Sequence, residues 1–133
     1  MPCLFNQLAG KNWTLFLWIP SSHLDKFPAI LDSWGFLFCT TWIWDKVRGN
    51  FSFYGSISHE IIVIGARGSG VPCCDPKTVQ GILSVQSIPK TKHSEKPIEY
   101  YKIIETLYPG RKYLELSARG EPRKGWTRWG DEV

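Results

Sequence analysis

Glu60-Ile61-Ile62-Val63-Ile64-Gly65-Ala66 decides the fold class. Ile61 to Ile64 is a continuous apolar, β-branched run, too short for a stable helix and not alternating as a half-exposed strand would be. Continuous hydrophobicity predicts a strand buried on both faces, as in a parallel sheet covered by helices.

Working outward, Leu15-Phe16-Leu17-Trp18-Ile19 is a second such run and ends at Pro20. Between them, Phe27, Ile30, Leu31 and Trp34 recur at helical spacing. Pro28 fits a first turn that starts near Asp25, and Gly35 is a natural stop. Phe36 to Trp44 predicts another strand, rich in aromatic and β-branched residues. Lys46–Ser58, with Gly49, Asn50 and Gly55, reads as a loop, and so does Arg67–Thr78. A short strand is expected within Gly81–Ile88.

The clearest helix follows. Ser94 can cap it and Pro97 suits its first turn. Tyr100, Ile103, Ile104, Leu107 and Tyr108 form one apolar face, with Glu99, Lys102 and Glu105 opposite. Tyr113–Ala118 predicts a strand, and Arg119–Val133 a loop. Strands alternating with helices predict a mostly parallel α/β sheet flanked by helices. A chain of 133 residues suits one domain spanning 1–133.

With 43% hydrophobic and 21% charged residues, the composition is globular, neither disordered nor fibrous. Seven tryptophans are many for this length. They serve either core packing or a surface on which bases stack. The net charge of +4, with basic residues crowding from Lys90 to Arg128, fits either a solvated rim or a phosphate-facing patch. The four cysteines form no CxxC pair, so no metal site is expected and a reduced, cytoplasmic interior fits them. No apolar run approaches a membrane span in length, and residues 1–10 lack the features of a secretion signal.

Several short segments recur together in a fixed order. They are Leu15-Phe16-Leu17-Trp18, Trp34-Gly35-Phe36 with Trp42-Ile43-Trp44-Asp45-Lys46, and His59-Glu60 with Ile64-Gly65-Ala66-Arg67-Gly68. Then come His93-Ser94-Glu95-Lys96-Pro97, Tyr108-Pro109-Gly110, Leu114-Glu115-Leu116 followed by Arg119, Gly125-Trp126, and Trp129-Gly130-Asp131-Glu132. From about residue 8 to the end, this ordered set resembles the C-terminal portion of the MT-A70 methyltransferases.

The resemblance implies a Rossmann-like fold that binds S-adenosylmethionine and methylates adenine N6 in DNA or RNA. It places Lys96 against the cofactor's methionine carboxylate, a role that suits a compact cation. Arg119, Asp131 and Glu132 fall at the family's cofactor-contacting positions. Asp131 stands where relatives often carry Asn, and it accepts hydrogen bonds but cannot donate as an amide does. His59 and Glu60 fall near the substrate pocket, and Phe51, Phe53 and Tyr54 are aromatics able to flank a target base. The bland alternatives are a surface arginine, a structural histidine before a buried strand, and aromatics used in packing.

The sequence departs from the family at its catalytic signature, since no Asp-Pro-Pro-aromatic run occurs; Asp75-Pro76 is misplaced for it. The catalytic residue is therefore unassigned. The fourteen residues before Leu15 are too few for the strand that carries that signature. The domain is thus expected to be incomplete on its N-terminal side, with exposed sheet edges that favour homo- or hetero-oligomers. Two functions follow: an adenine-N6 methyltransferase acting on DNA or RNA, or a non-catalytic methyltransferase-like domain that binds nucleic acid or a partner.

Overall fold

The computed structural model describes residues 13–68, 76–90, 96–109, 113–116 and 124–129. These fall into two compact units, one from 13–68 with 81–89 and the other from the remaining described residues.

The first unit is a four-stranded sheet. β1 is Trp13–Ile19, β2 Leu37–Asn50, β3 Ile57–Arg67 and β4 Val85–Ser87, in the order β1-β3-β2-β4. β3 pairs antiparallel with both β1 and β2, and β4 pairs parallel with β2. β1, β2 and β4 therefore run one way and β3 alone runs back. The expected mostly parallel ladder is corrected here to a mixed sheet within an α/β fold. The cause is connection length: only 51–56 join β2 to β3, which permits a hairpin but no crossover. The helical connection from β1 to β2 does deliver two co-directional strands, and β3 inserts between them.

That connection is a 3₁₀ turn, Ser21–Lys26, running into α1, Phe27–Trp34. Pro28 lies at its start, where no N–H is required. Gly35 ends it at φ 79°, and Phe36 N–H donates to the Leu31 carbonyl at 2.9 Å. Leu31 and Phe36 are buried. They come so close to the sheet at Gly65 that a Cβ there would lie 3.3 Å from each and 3.2 Å from the Leu37 carbonyl oxygen.

The core is centred on β3, whose residues Ile61–Gly65 are all buried, as continuous hydrophobicity predicts. On one face Phe16 meets Trp42 and Trp18 meets Trp44, with ring centroids 5.4 and 5.6 Å apart. Trp44 is 2% exposed and its indole N–H donates to the Ile88 carbonyl at 2.7 Å. Trp42 and Trp44 are buried and Trp13, Trp18, Trp34 and Trp126 half-buried, so packing accounts for these six.

β2 and β3 extend well into the segment read as a loop from Lys46 to Ser58. The expected short strand appears as β4. In the segment read as a loop from Arg67, Pro76–Gln80 forms one helical turn, α2.

The second unit contains α3, Glu99–Leu107, and a parallel pair of strands, β5 Tyr113–Leu116 and β6 Trp126–Trp129. β6 lies where a loop is expected. Tyr100 and Leu107 are buried on the predicted apolar face. Burial, aided by the neighbouring Glu99 carboxylate, pushes the Tyr100 phenol above its ordinary range. Glu105 is not simply solvent-facing: its carboxylate accepts from the Trp126 indole at 2.6 Å. The Trp126 ring stacks on Tyr113 and meets Tyr101 edge-on, both at 4.9 Å. Ser94, expected as the cap of this helix, lies outside the described residues.

Candidate functional site at the strand ends

Because β1 and β2 run together and β3 runs back, the end of β1, the end of β2 and the start of β3 share one edge of the sheet. Ligands in open α/β sheets bind beyond the carboxyl ends of the co-directional strands. A groove of about 370 Å³ lies there, lined by Pro20, Ser21 and Ser22 after β1, Lys46 on β2, Phe51–Phe53 in the hairpin, and Ile57, His59 and Glu60 on β3.

Its polar floor rests on one ion pair. Lys46 Nζ lies 2.9 Å from Glu60 Oε1, with the two side chains only 12% and 13% exposed. Register explains the contact. Glu60 sits opposite Trp44, and Lys46 is two residues beyond Trp44 on the same strand, so both charges belong to one face. The Lys46 ammonium also lies 5.3 Å from the centre of the Trp44 ring, a cation–π contact.

The strand around Lys46 is not regular. After the pair Asp45–His59 the next is Asn50–Ile57, so residues 46–49 of β2 face only Ser58 of β3. Within this bulge Val47 has φ 72°, a costly conformation for a β-branched residue. It is held by Asp45, whose Oδ1 accepts the Val47 N–H at 2.9 Å while Oδ2 accepts the Ser87 hydroxyl at 2.9 Å.

The hairpin leaves the groove as an exposed aromatic tip. Phe51, Phe53 and Tyr54 are 84%, 91% and 100% exposed, and the two phenylalanine rings meet edge-on at 5.3 Å. Exposed aromatic surface on this scale offers stacking area that packing does not use.

The chain belongs to the MT-A70 family. The family's sequence profile matches residues 5–132. The N(6)-adenine-specific methyltransferase METTL4 of Homo sapiens is 30% identical over 96% of this chain and 30% of its own length. The N(6)-adenosine-methyltransferase non-catalytic subunit METTL14 of Drosophila melanogaster is 28% identical over 96% of the chain and 36% of its own length. A putative N(6)-adenosine-methyltransferase MT-A70-like protein of Medicago truncatula is 26% identical over 90% of the chain and 20% of its own length. The chain thus spans about a third or less of the relatives it matches.

The MT-A70 segments that carry His59 and Glu60 do meet at a site, since both residues border the groove. They are successive residues on a strand, so their side chains leave opposite faces and reach the groove across its end. Tyr54 belongs to the same hairpin but does not line the groove. Lys96 is half-buried in the second unit, just before the first turn of α3, where Tyr100 N–H donates to the Pro97 carbonyl at 3.2 Å. Arg119, Asp131 and Glu132 lie outside the described residues, as does much of the basic C-terminal stretch.

The groove also contains residues that sequence reasoning did not single out, chiefly Lys46, Ser21 and Ser22. Lys46 could have been suspected as a cation two residues after the apolar run that ends at Trp44. Among the described residues, no three His, Cys, Asp or Glu side chains come together to hold a metal, and no helix is long and apolar enough to cross a membrane.

Proposed function

We propose that this N6-adenine methyltransferase-like domain binds S-adenosylmethionine and directs methyl transfer to the N6 amine of adenine in DNA or RNA, with DNA as the first substrate to test. The observation that carries the reading is the groove at the strand ends, with Glu60 in its floor, in a chain of this family.

When bound, the cofactor supplies a methyl group on a cationic sulfur. Lys96 fits the carboxylate of such a ligand by charge, being a half-buried cation beside a helix start that otherwise favours anions. The remaining work is positioning. Glu60 accepts a hydrogen bond from the exocyclic amine and so fixes the base in the groove. The phenylalanines of the hairpin stack on the unpaired base and shield it from water. The cofactor would supply the methyl group for direct transfer to N6, and N6 would give up one proton. No covalent enzyme intermediate is needed.

A second reading is a non-catalytic domain that binds nucleic acid or a catalytic partner. One relative is itself named a non-catalytic subunit.

Isothermal titration of S-adenosylmethionine into the purified chain, with Lys96→Ala as control, separates the readings. Binding that disappears in the variant supports the methyltransferase, and transfer of a labelled methyl group to adenine-containing DNA and RNA then tests the substrate. A folded protein that binds no cofactor supports the second reading.

A further inference from the structure

We infer that the hairpin joining β2 to β3 grips single-stranded nucleic acid outside the groove: Tyr54 stacks on a base next to the target, and Arg48 pairs with a backbone phosphate. This rests on the function proposed above and names the form of nucleic acid taken and the contacts that hold the strand beside the adenine.

The tip is a turn closed by Ser52. Gly55 N–H donates to the Ser52 carbonyl at 3.3 Å, and the Ser52 hydroxyl accepts the Tyr54 N–H at 3.4 Å. Phe53 and Tyr54 thereby occupy the two central positions of the turn, where Gly, Asn, Asp and Pro are the usual residues. Neither turn formation nor packing accounts for two rings there, since Phe53 is 91% and Tyr54 100% exposed. Tyrosine offers a large, rigid contact face with few torsions to freeze on binding. Phe53 lines the groove and Tyr54 does not. A base on Tyr54 is therefore a neighbour of the one in the groove, not the target itself.

Charge selects the occupant. From Lys46 to His59 the chain carries two cations, Lys46 and Arg48, and no Asp or Glu. Lys46 is engaged by Glu60, whereas Arg48 is exposed and makes no ion pair among the described residues. Exposed rings beside an uncompensated guanidinium suit a single strand, whose base faces stack on the rings while a phosphate meets the cation. A duplex suits them less, because its bases already cover one another's faces. A second copy of the chain, with a net charge of +4 and the same cationic hairpin, would meet like charge.

The probe is oligothymidylate, which contains no adenine, titrated into the full chain without cofactor and followed by fluorescence anisotropy. The single strand should bind, and more tightly than the same strand annealed to its complement. Tyr54→Ala should weaken single-strand binding about five- to a hundredfold; Tyr54→Phe should leave it unchanged, and Tyr54→Leu should not restore it. Arg48→Gln should lower the slope of log affinity against log salt by about 0.7, the value for one phosphate contact, and Arg48→Lys should restore it. Both side chains are exposed, so these variants should melt with the wild type. No binding of the single strand, equal binding of the duplex, or unchanged affinity in Tyr54→Ala overturns the inference, as does an unchanged salt slope in Arg48→Gln. Equal affinity for oligoglutamate, lost in the same variants, would make the hairpin a docking surface for an acidic protein and overturns it too. The methyltransferase reading stands or falls separately on the cofactor titration, since the single-strand arms contain neither cofactor nor adenine.

Discussion

The two halves of β3 differ in burial and in the pairing of their neighbour β2. Ile61–Gly65 are buried, flanked by β1 on one side and β2 on the other, and α1 packs onto the sheet at Gly65. Ile57–Glu60, in the same strand, are half-buried, border a groove and face a β2 segment that bulges away from regular pairing. The buried half has apolar side chains on both faces; the other has a charge pair, a histidine and an adjacent aromatic tip. Rigid packing at one end holds irregular backbone at the other, a division of labour that lets a site carry strain.

Removing the piece that joins the halves should have the largest effect. Trp44→Ala deletes a ring packed against Trp18 and Lys46, with a hydrogen bond to Ile88, and should cost about 3–5 kcal/mol in denaturant unfolding. A loss below about 1 kcal/mol would show that the halves are not coupled through this residue. Lys46→Met removes the ion pair with the largely buried Glu60 and should cost about 1–3 kcal/mol, less than a fully buried pair because water still reaches both groups. Restoration by Lys46→Arg would confirm that charge, not shape, is what Glu60 requires.

Val47→Gly should act in the opposite direction, raising stability in denaturant unfolding by about 1 kcal/mol by relieving the positive φ. A fall in stability would instead show that the Val47 side chain packs favourably in the bulge. The smallest stability effect belongs to the hairpin tip. Phe51→Ala with Phe53→Ala should shift unfolding by less than about 0.5 kcal/mol, since both side chains are almost fully exposed, yet lower affinity for single-stranded oligonucleotides. A large loss of stability would make these rings part of the core.

The candidate site was legible in the chain only in part. His59 and Glu60 were marked by the family resemblance of their segment, and both line the groove. Phe51 and Phe53 were marked only as aromatics in a loop, indistinguishable by composition from core residues. Their exposure is what separates them from the tryptophans, which the same composition offered as an alternative stacking surface. Lys46 stood in a quoted segment without a role, because its contact with Glu60 depends on how β2 pairs with β3, and the bulge beyond it depends on Asp45 reaching back to Val47 N–H. No local propensity announces a β-branched residue at positive φ.

The sequence by itself determined the buried strand at Ile61–Gly65, the helix from Phe27 to its glycine stop, the apolar face of α3 and membership of a family. Each is written locally, in an unbroken apolar run, a 3.6-residue period, a glycine cap or an ordered set of short segments. Tertiary structure decided the direction and place of β3. A short connection permits a hairpin, but only the whole sheet selects insertion between β1 and β2, where both faces and both edges of the apolar run are covered at once. The same choice brings the ends of β1 and β2 to the start of β3, and with them Lys46 to Glu60. Residues fourteen apart in the chain become an ion pair because strand pairing, not sequence proximity, sets who meets whom.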